Sequence, residues 1–318
     1  MGYGEQRNMA NNRPILVTGA HRSGTTWVGR MIASSPKVSN IHEPFNINGH
    51  CKFCTADFPY WFFYVTAENE DGYCKPIKDT LGFRYDLLGK LSASRSYSQV
   101  KNEIRNYRTC VRSRVKNLRP LLKDPIALFS ADWLSRRFDM QPVVMIRHPA
   151  AFCGSIKVLN WSHPFPHFLE QDLLMNTHLY SFRDEIKRFA DEEKEVIDQA
   201  ILLWKLIHFM ILKYRAENHD WLFVRHEDIS CNPISGFKGI FSYLGLEFTD
   251  HIAEIIEWHS MSNNNRNKVR PDYRLNAFRR DSETNIFSWK DRLTAAEIDR
   301  IKIGTEEISK YFYSDSDW

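Results

Sequence analysis

The sequence lacks any apolar run able to cross a bilayer. Its greasiest stretch, Ala200 to Leu212, is broken by Lys205 and His208 and falls short of the ~20 residues a spanning helix needs, so a buried helix is expected there. No apolar segment follows a basic start: Met1 to Asn12 is polar, and Gln6 stands where a myristoylation signal requires Ser or Thr. With six cysteines and no leader, reduced thiols and a cytoplasmic protein without a transmembrane segment are expected. Strong charge bias is missing too. Lys and Arg number 43 against 39 Asp and Glu, a net charge of +4, too mild to demand nucleic acid but suited to anionic ligands. Cys51-x-x-Cys54, with Cys74 downstream, has no second pair or His-rich partner at zinc-finger spacing, so incidental cysteines are expected rather than a metal site. Neither an internal repeat nor a low-complexity tract is present.

What is there suffices for one substantial core: 318 residues, 43% hydrophobic and 26% charged. Pro14 to Gly19 is an apolar run of strand length, followed by helical periodicity from Gly24 to Ala33 through Val28, Met31 and Ile32. The order recurs at Pro142 to Ile146, which leads through Arg147-His148-Pro149 into a helical pattern up to about Leu159. Trp221 to Arg225 is a third strand, with a short helix from Ser235 to Leu244 after it. Between these lie Ile126 to Phe138, and Glu192 to Glu217, whose Val196, Ala200, Trp204, Ile207, Ile211 and Tyr214 share one helical face. Strands alternating with helices predict an α/β fold with a parallel sheet covered on both faces.

The stretch from Phe45 to Asn117 interrupts this order and is rich in aromatics, as ligand-selecting insertions tend to be. Within Lys101 to Arg119, Lys101, Arg105, Arg108, Arg112, Arg114, Lys116 and Arg119 face a single acid, Glu103. They form either a solvated helix face or a groove for an acidic acceptor such as a phosphorylated or sulfated glycan.

Gly19-Ala20-His21-Arg22-Ser23-Gly24-Thr25-Thr26 sits where a phosphate-binding loop belongs, with two glycines at the spacing of G-x-x-x-x-G-K-[ST]. Glycines let successive N–H groups turn inward, and the start of the next helix adds its positive end, so an anion is held by backbone. Thr25, however, replaces the lysine of a nucleoside triphosphatase, and the strand ending at Ile146 runs into Arg147 where a magnesium-binding Asp would stand. The loop therefore suits an anion bound without a triphosphate or a catalytic metal, and a P-loop kinase or hydrolase is disfavoured.

Arg22-Ser23-Gly24-Thr25-Thr26-Trp27 resembles the 5'-phosphosulfate loop of the sulfotransferase superfamily. Arg147, with Ser155 eight residues later, is similar to that family's 3'-phosphate site. Glu43 in His42-Glu43-Pro44-Phe45 and Lys123 in Lys123-Asp124-Pro125 resemble the catalytic glutamate and the Lys-Asp-Pro of the bacterial and tyrosylprotein branch. Val224-Arg225-His226-Glu227-Asp228 is similar to the family's Val-Arg-Tyr-Glu-Asp, with His226 in place of a Tyr near the adenine.

The resemblance implies one P-loop-like three-layer domain over 1–318, a central parallel sheet flanked by helices. Residues 13–44 would hold the 5'-phosphosulfate loop, 45–120 a helical acceptor-side insertion, 121–250 the 3'-phosphate half and 251–318 a closing segment. It implies 3'-phosphoadenosine 5'-phosphosulfate (PAPS) as co-substrate, no metal, and a hydroxyl-bearing acceptor, an acidic glycan among the candidates. Glu43 would be the base, with His42 as understudy because imidazole titrates near neutrality. Arg22 would face the bridging oxygen and Lys123 the equatorial oxygens. Ser23, Gly24, Thr25 and Thr26 would hold the 5'-phosphate, Arg147 and Ser155 the 3'-phosphate, and Trp27 and His226 would lie near the adenine. Arg279 and Arg280 are the candidates for a late basic loop over the 3'-phosphate. A non-catalytic nucleotide- or glycan-binding protein on the same scaffold is a further reading, against which the retained Arg22 and Glu43 argue.

Overall fold

The structure, a computed structural model, describes residues 12–48, 53–260 and 286–318. The run after Pro14 forms β1 (Ile15–Gly19), buried throughout, and a tight loop leads into α1 (Thr25–Ile32). β2 (Val38–His42) follows, then α2 (Cys74–Leu81), α3 (Leu87–Ala93) and α4 (Tyr97–Val115). β3 (Arg119–Lys123), a 3-10 segment at Ile126–Ser130 and α5 (Ala131–Phe138) precede β4 (Gln141–Ile146) and α6 (Pro149–Leu159). α7 (Arg183–Asp191) and α8 (Val196–Glu217) lead to β5 (Leu222–Arg225). α9 (His226–Cys231), α10 (Pro233–Tyr243), α11 (Asp250–Ser260) and α12 (Ala295–Ser309) complete the main helices.

The strands form one parallel sheet in the order β2-β3-β1-β4-β5. Because side chains alternate along a strand, neighbouring residues feed opposite layers. Ile15, Val17, Leu121, Val143 and Met145 pack with α1, α10 and α11 through Val28, Phe237, Phe241 and Ile256. Leu16, Leu122 and Val144 pack on the other side with α6 and α8 through Phe152, Ile156, Trp204 and Ile207. This is the expected three-layer α/β arrangement, with helices inserted between β2 and β3. Among the described residues no helix is long and apolar enough to cross a membrane.

Three details depart from the sequence reading. β2 and β3 were not anticipated as strands: β2 is a partly exposed edge, Val-Ser-Asn-Ile-His, and β3 lies between two strands while containing Arg119, Pro120 and Lys123. Proline cannot donate to a ladder, which argues against a central strand. Arg119, grouped above with the basic face, is buried, its guanidinium donating to the carbonyls of Arg13 and Leu244 (2.6 Å) and to Gln141 Oε1 (2.7 Å). It fastens the base of the sheet, whereas Lys101, Arg105, Arg108, Arg112, Arg114 and Lys116 are exposed. Third, α8 buries far more than the one face expected of it, including Leu202, Leu203, Leu206 and Met210, because it lies between the sheet and α12.

Candidate active site

β1 and β4 are neighbours, with Gly19 opposite Met145, yet the chain leaves β1 toward β2 and leaves β4 toward β5. Such a reversal opens a crevice at the carboxyl ends of the strands, where open α/β sheets bind ligands. The loop after β1 reaches it through two left-handed residues, Arg22 at φ 64° and Gly24 at φ 85°. Ser23 is fully buried, its hydroxyl and its N–H (3.2 Å) both donating to the Ala20 carbonyl, so its side chain braces the turn. Gly24 caps α1 without a side-chain hydrogen bond, and no acid stands in the first turn, which begins Thr25-Thr26. First-turn N–H groups lack intrahelical acceptors and favour an anion.

The second predicted cradle meets the first. Arg22 Nε donates to Ser155 Oγ at 3.0 Å, joining the loop after β1 to α6. Arg147, at the end of β4, is 6% exposed, with Nε 3.6 Å from Glu227 Oε1. Glu227 also accepts from the His148 N–H (3.1 Å) and the Tyr313 hydroxyl (3.0 Å). α8 fixes the backbone of Arg147 from behind: Trp204 Nε1 donates to its carbonyl (2.9 Å), and its N–H donates to His208 Nε2 (3.4 Å). That contact needs neutral His208 with Nδ1–H on the Trp204 carbonyl (2.9 Å), and burial pushes His208 down to about 3.

β2 and β3 deliver the third group. The Glu43 N–H donates to the Lys123 carbonyl (2.9 Å), extending the ladder one residue past His42 and placing both side chains at the same edge. Glu43 has φ 46°, and its carboxylate accepts from Asn46 Nδ2 (3.0 Å) and pairs with Lys123. Lys123 is only 1% exposed, its ammonium also 3.3 Å from His42 Nε2. Burial pushes Glu43 upward, but the charge and hydrogen bond of Lys123, then Asn46 and His42, more than reverse this and hold the carboxyl below its ordinary value. Asp124 binds the two loops together, accepting from the N–H groups of Phe45 (2.7 Å), Ile126 (2.9 Å) and Ala127 (3.3 Å). Burial pushes its carboxyl up to about 7, against the pull of those donors and of Lys123.

His21, Arg22, Thr25, Thr26 and Glu43 share a cleft of about 540 Å³. Lys123 lies behind Glu43 instead of lining it, and Trp27 and His226 flank Gly24 elsewhere. A Cβ at Gly24 would come within 2.4 Å of His226 Nδ1, so a side chain there would displace that ring, and φ 85° also favours glycine. The Trp27 ring meets His226 edge-on at 5.9 Å and Phe237 at 5.0 Å, and Trp27 Nε1 is enclosed without a partner among the described residues. Uncapped N–H groups, Arg22, Ser155 and Arg147 at adjoining loops and a ring pair beside them fit a phosphorylated purine nucleotide. Arg279, Arg280 and Cys51 lie outside the described residues. Cys54 is buried, burial raises its thiol, and among the described residues no group of three or more His, Cys, Asp or Glu could hold a metal ion.

Sequence reasoning assigned no role to Glu227, Asp124, His208 or the cleft walls at Trp161 and Leu203. The first two stand inside the quoted motifs, and His208 interrupting an apolar helix was the signal for a buried polar contact.

A parallel α/β sheet with this loop after β1, and with Arg22 and Arg147 at its carboxyl edge, defines a three-layer α/β fold with a ligand crevice at that edge. The model described as the sulfotransferase family matches residues 14–250, and the chain belongs to that family. Among solved structures it is similar to the sulfotransferase domain from the Synechococcus PCC 7002 olefin synthase, at 17% identity and a TM-score of 0.51 over 96% of this chain and 96% of that one. Another is the sulfotransferase domain from the curacin biosynthetic pathway, at 12% identity and a TM-score of 0.49 over 95% of this chain and 98% of that one. No curated protein sequence matches.

Proposed function

We propose that this sulfotransferase moves a sulfuryl group from PAPS to a hydroxyl of an acceptor. The observation that carries the reading is the 3.0 Å contact between Arg22 and Ser155, which brings the loop after β1 and the helix after β4 within reach of one nucleotide. Ser155 and Arg147 hold the 3'-phosphate, the guanidinium steadied by Glu227 and its backbone by Trp204 and His208. The N–H groups and hydroxyls of Thr25 and Thr26, with the backbone at Ser23 and Gly24, hold the 5'-phosphate; Trp27 and His226 lie against the adenine. Arg279 and Arg280 remain the candidates for a covering loop.

When bound, the donor supplies the sulfuryl group, whose sulfur bonds to the acceptor oxygen as its bond to the 5'-phosphate oxygen breaks, the electron pair leaving with the nucleotide. Glu43 takes the acceptor's proton, its lowered pKa keeping it ionised and ready at neutral pH. Lys123, buried behind that carboxylate, holds it in place rather than reaching the transferred group. Arg22 sets a permanent charge where the leaving oxygen becomes anionic. Calorimetry with 3'-phosphoadenosine 5'-phosphate (PAP) in EDTA tests the donor reading: binding is expected, and no binding, or binding only with magnesium, rejects it.

A further inference from the structure

The mild net charge of the whole chain conceals a division. Residues 87–118, the span of α3 and α4, carry eight Lys or Arg against the single acid Glu103, while the rest of the chain has 35 basic and 38 acidic side chains and is net negative. The local excess is also aligned. Tyr97, Lys101, Arg105, Arg108, Arg112 and Val115 recur at intervals of three and four, so they fall within an arc of about 80° and form one straight ridge about 27 Å long on α4. All six are exposed. Glu103 lies off the ridge and accepts from the Tyr85 hydroxyl. Like charges three and four residues apart destabilise the helix that carries them, so a face that had only to be solvated would gain from interspersed acids, and this one has none.

The opposite face of α4 fastens the helix to the body. Asn106, Cys110 and Ser113 are buried, and the hydroxyls of Ser113 and Ser39 share a hydrogen bond of 2.8 Å, which sets α4 along the outer side of the edge strand β2. The ridge therefore faces away from the sheet, and none of its residues lines the cleft shared by Arg22 and Glu43. Apolar groups mark its ends. Tyr97 is 84% exposed and Val115 78%, and Leu88 on α3 is 81% exposed; these are the three most exposed large apolar side chains among the described residues. Cations in the middle with apolar side chains at the ends reverse the order of a protein interface, whose apolar centre is ringed by a polar rim. A nucleic acid or a sulfated glycan would engage the cations and leave the apolar ends in water. An anionic bilayer uses both, because its headgroups meet Lys and Arg while apolar tips pass between them.

We propose that α3 and α4 form a docking ridge for an anionic lipid surface, with Lys101, Arg105, Arg108 and Arg112 at the headgroups and Leu88, Tyr97 and Val115 inserted among them. The test is co-sedimentation of the full chain with phosphatidylcholine vesicles containing about 30% phosphatidylserine, and with vesicles of phosphatidylcholine alone, in about 0.1 M and about 0.5 M NaCl. Binding is expected only to the anionic vesicles and should fall in the higher salt. Each basic side chain near such a surface contributes about fivefold, so replacing all four by Gln should weaken binding at least about hundredfold. Arg105→Lys/Arg108→Lys/Arg112→Lys keeps the charge and should bind within about threefold of the native chain. Leu88→Ser/Tyr97→Ser/Val115→Ser should lose about tenfold while its salt dependence stays the same. PAP affinity should be unchanged in all three, which separates loss of the ridge from loss of the fold. No binding to anionic vesicles, equal binding to neutral ones, binding indifferent to the four Gln replacements or to the three Ser replacements, or loss of binding in the all-Lys variant overturns the inference. Retention on heparin or polyglutamate without binding to vesicles would assign the ridge to another polyanion and overturn it as well.

Discussion

Replacing Glu43 by Gln keeps the shape of the side chain and removes its charge, and its surroundings dictate two separable losses. One is catalytic. A positioned general base contributes about 10²–10⁴-fold, so turnover should fall by that range while PAP binds as before. The other is conformational, because Lys123 is 1% exposed and would keep an ammonium group that has lost its counter-charge. Removing one partner of a fully buried ion pair costs about 3–5 kcal/mol. Glu43 retains 18% side-chain exposure and the Gln oxygen can still accept from Lys123, so about 1–3 kcal/mol is expected, a fall in Tm of roughly 2–6 °C. Glu43→Gln/Lys123→Met removes the stranded charge as well, and apolar replacement of a buried pair is often neutral or stabilising. Its Tm should therefore recover while its turnover does not. Thermal unfolding followed by circular dichroism reads the first quantity and transfer of labelled sulfate the second. Turnover of Glu43→Gln within about threefold of the native protein, or turnover that returns with the Tm in the double variant, would refute the reasoning.

The remaining expectations concern pH, the second cradle and the supports of the site. Because Glu43 is held below its ordinary 4.5, kcat/KM should stay level through pH 6 and fall only below about 4.5; a limb centred near 6.5 would assign the base to a histidine. Arg147→Ala should weaken PAP by about 10–100-fold and its 3'-hydroxyl analogue far less, by competitive calorimetry, and equal weakening would move the 3'-phosphate site elsewhere. Asp124 has a raised folded-state pKa, so its protonated form stabilises the fold below 3.8 and that contribution is lost as pH rises toward about 7. The Tm advantage of the native protein over Asp124→Asn should thus shrink across that window, and an advantage that grows would contradict it. Arg119→Leu strands the Arg13 and Leu244 carbonyls and should cost about 3 kcal/mol or more, seen as a lower urea midpoint; an unchanged midpoint would show that water replaces those bonds.

Legibility in the sequence followed burial. β1 and β4 read as strands because both faces are covered, leaving unbroken apolar runs. β3 did not, since Arg119 and Lys123 use buried positions for polar work that only the assembled sheet reveals, one on distant carbonyls and the other on Glu43. The residues assigned to the two proposed cradles could be picked out because they cluster locally, Arg22 to Trp27 after one strand and Arg147 to Ser155 after another. Their supports were hidden because Glu227, His208 and Tyr313 reach Arg147 or its partner from other elements. The cleft was legible only in part: His21, Arg22, Thr25, Thr26 and Glu43 stand in the quoted motifs and Phe62 in the aromatic-rich insertion, but Trp161 and Leu203 join them only through the tertiary fold.

Gly19 lies so close to its neighbour strand that a Cβ there would stand 2.2 Å from the Met145 carbonyl oxygen. The pitch between the loop after β1 and the turn after β4 is thus a main-chain dimension, about the 4.8 Å spacing of paired strands, and not an adjustable product of side-chain choice. Loop residues on either side can be exchanged to retune affinity or chemistry without recalibrating that ruler. Widening the seam by a single methyl group at Gly19 should instead uncouple the halves, leaving each intact but mismatched to the length of any ligand that must span them.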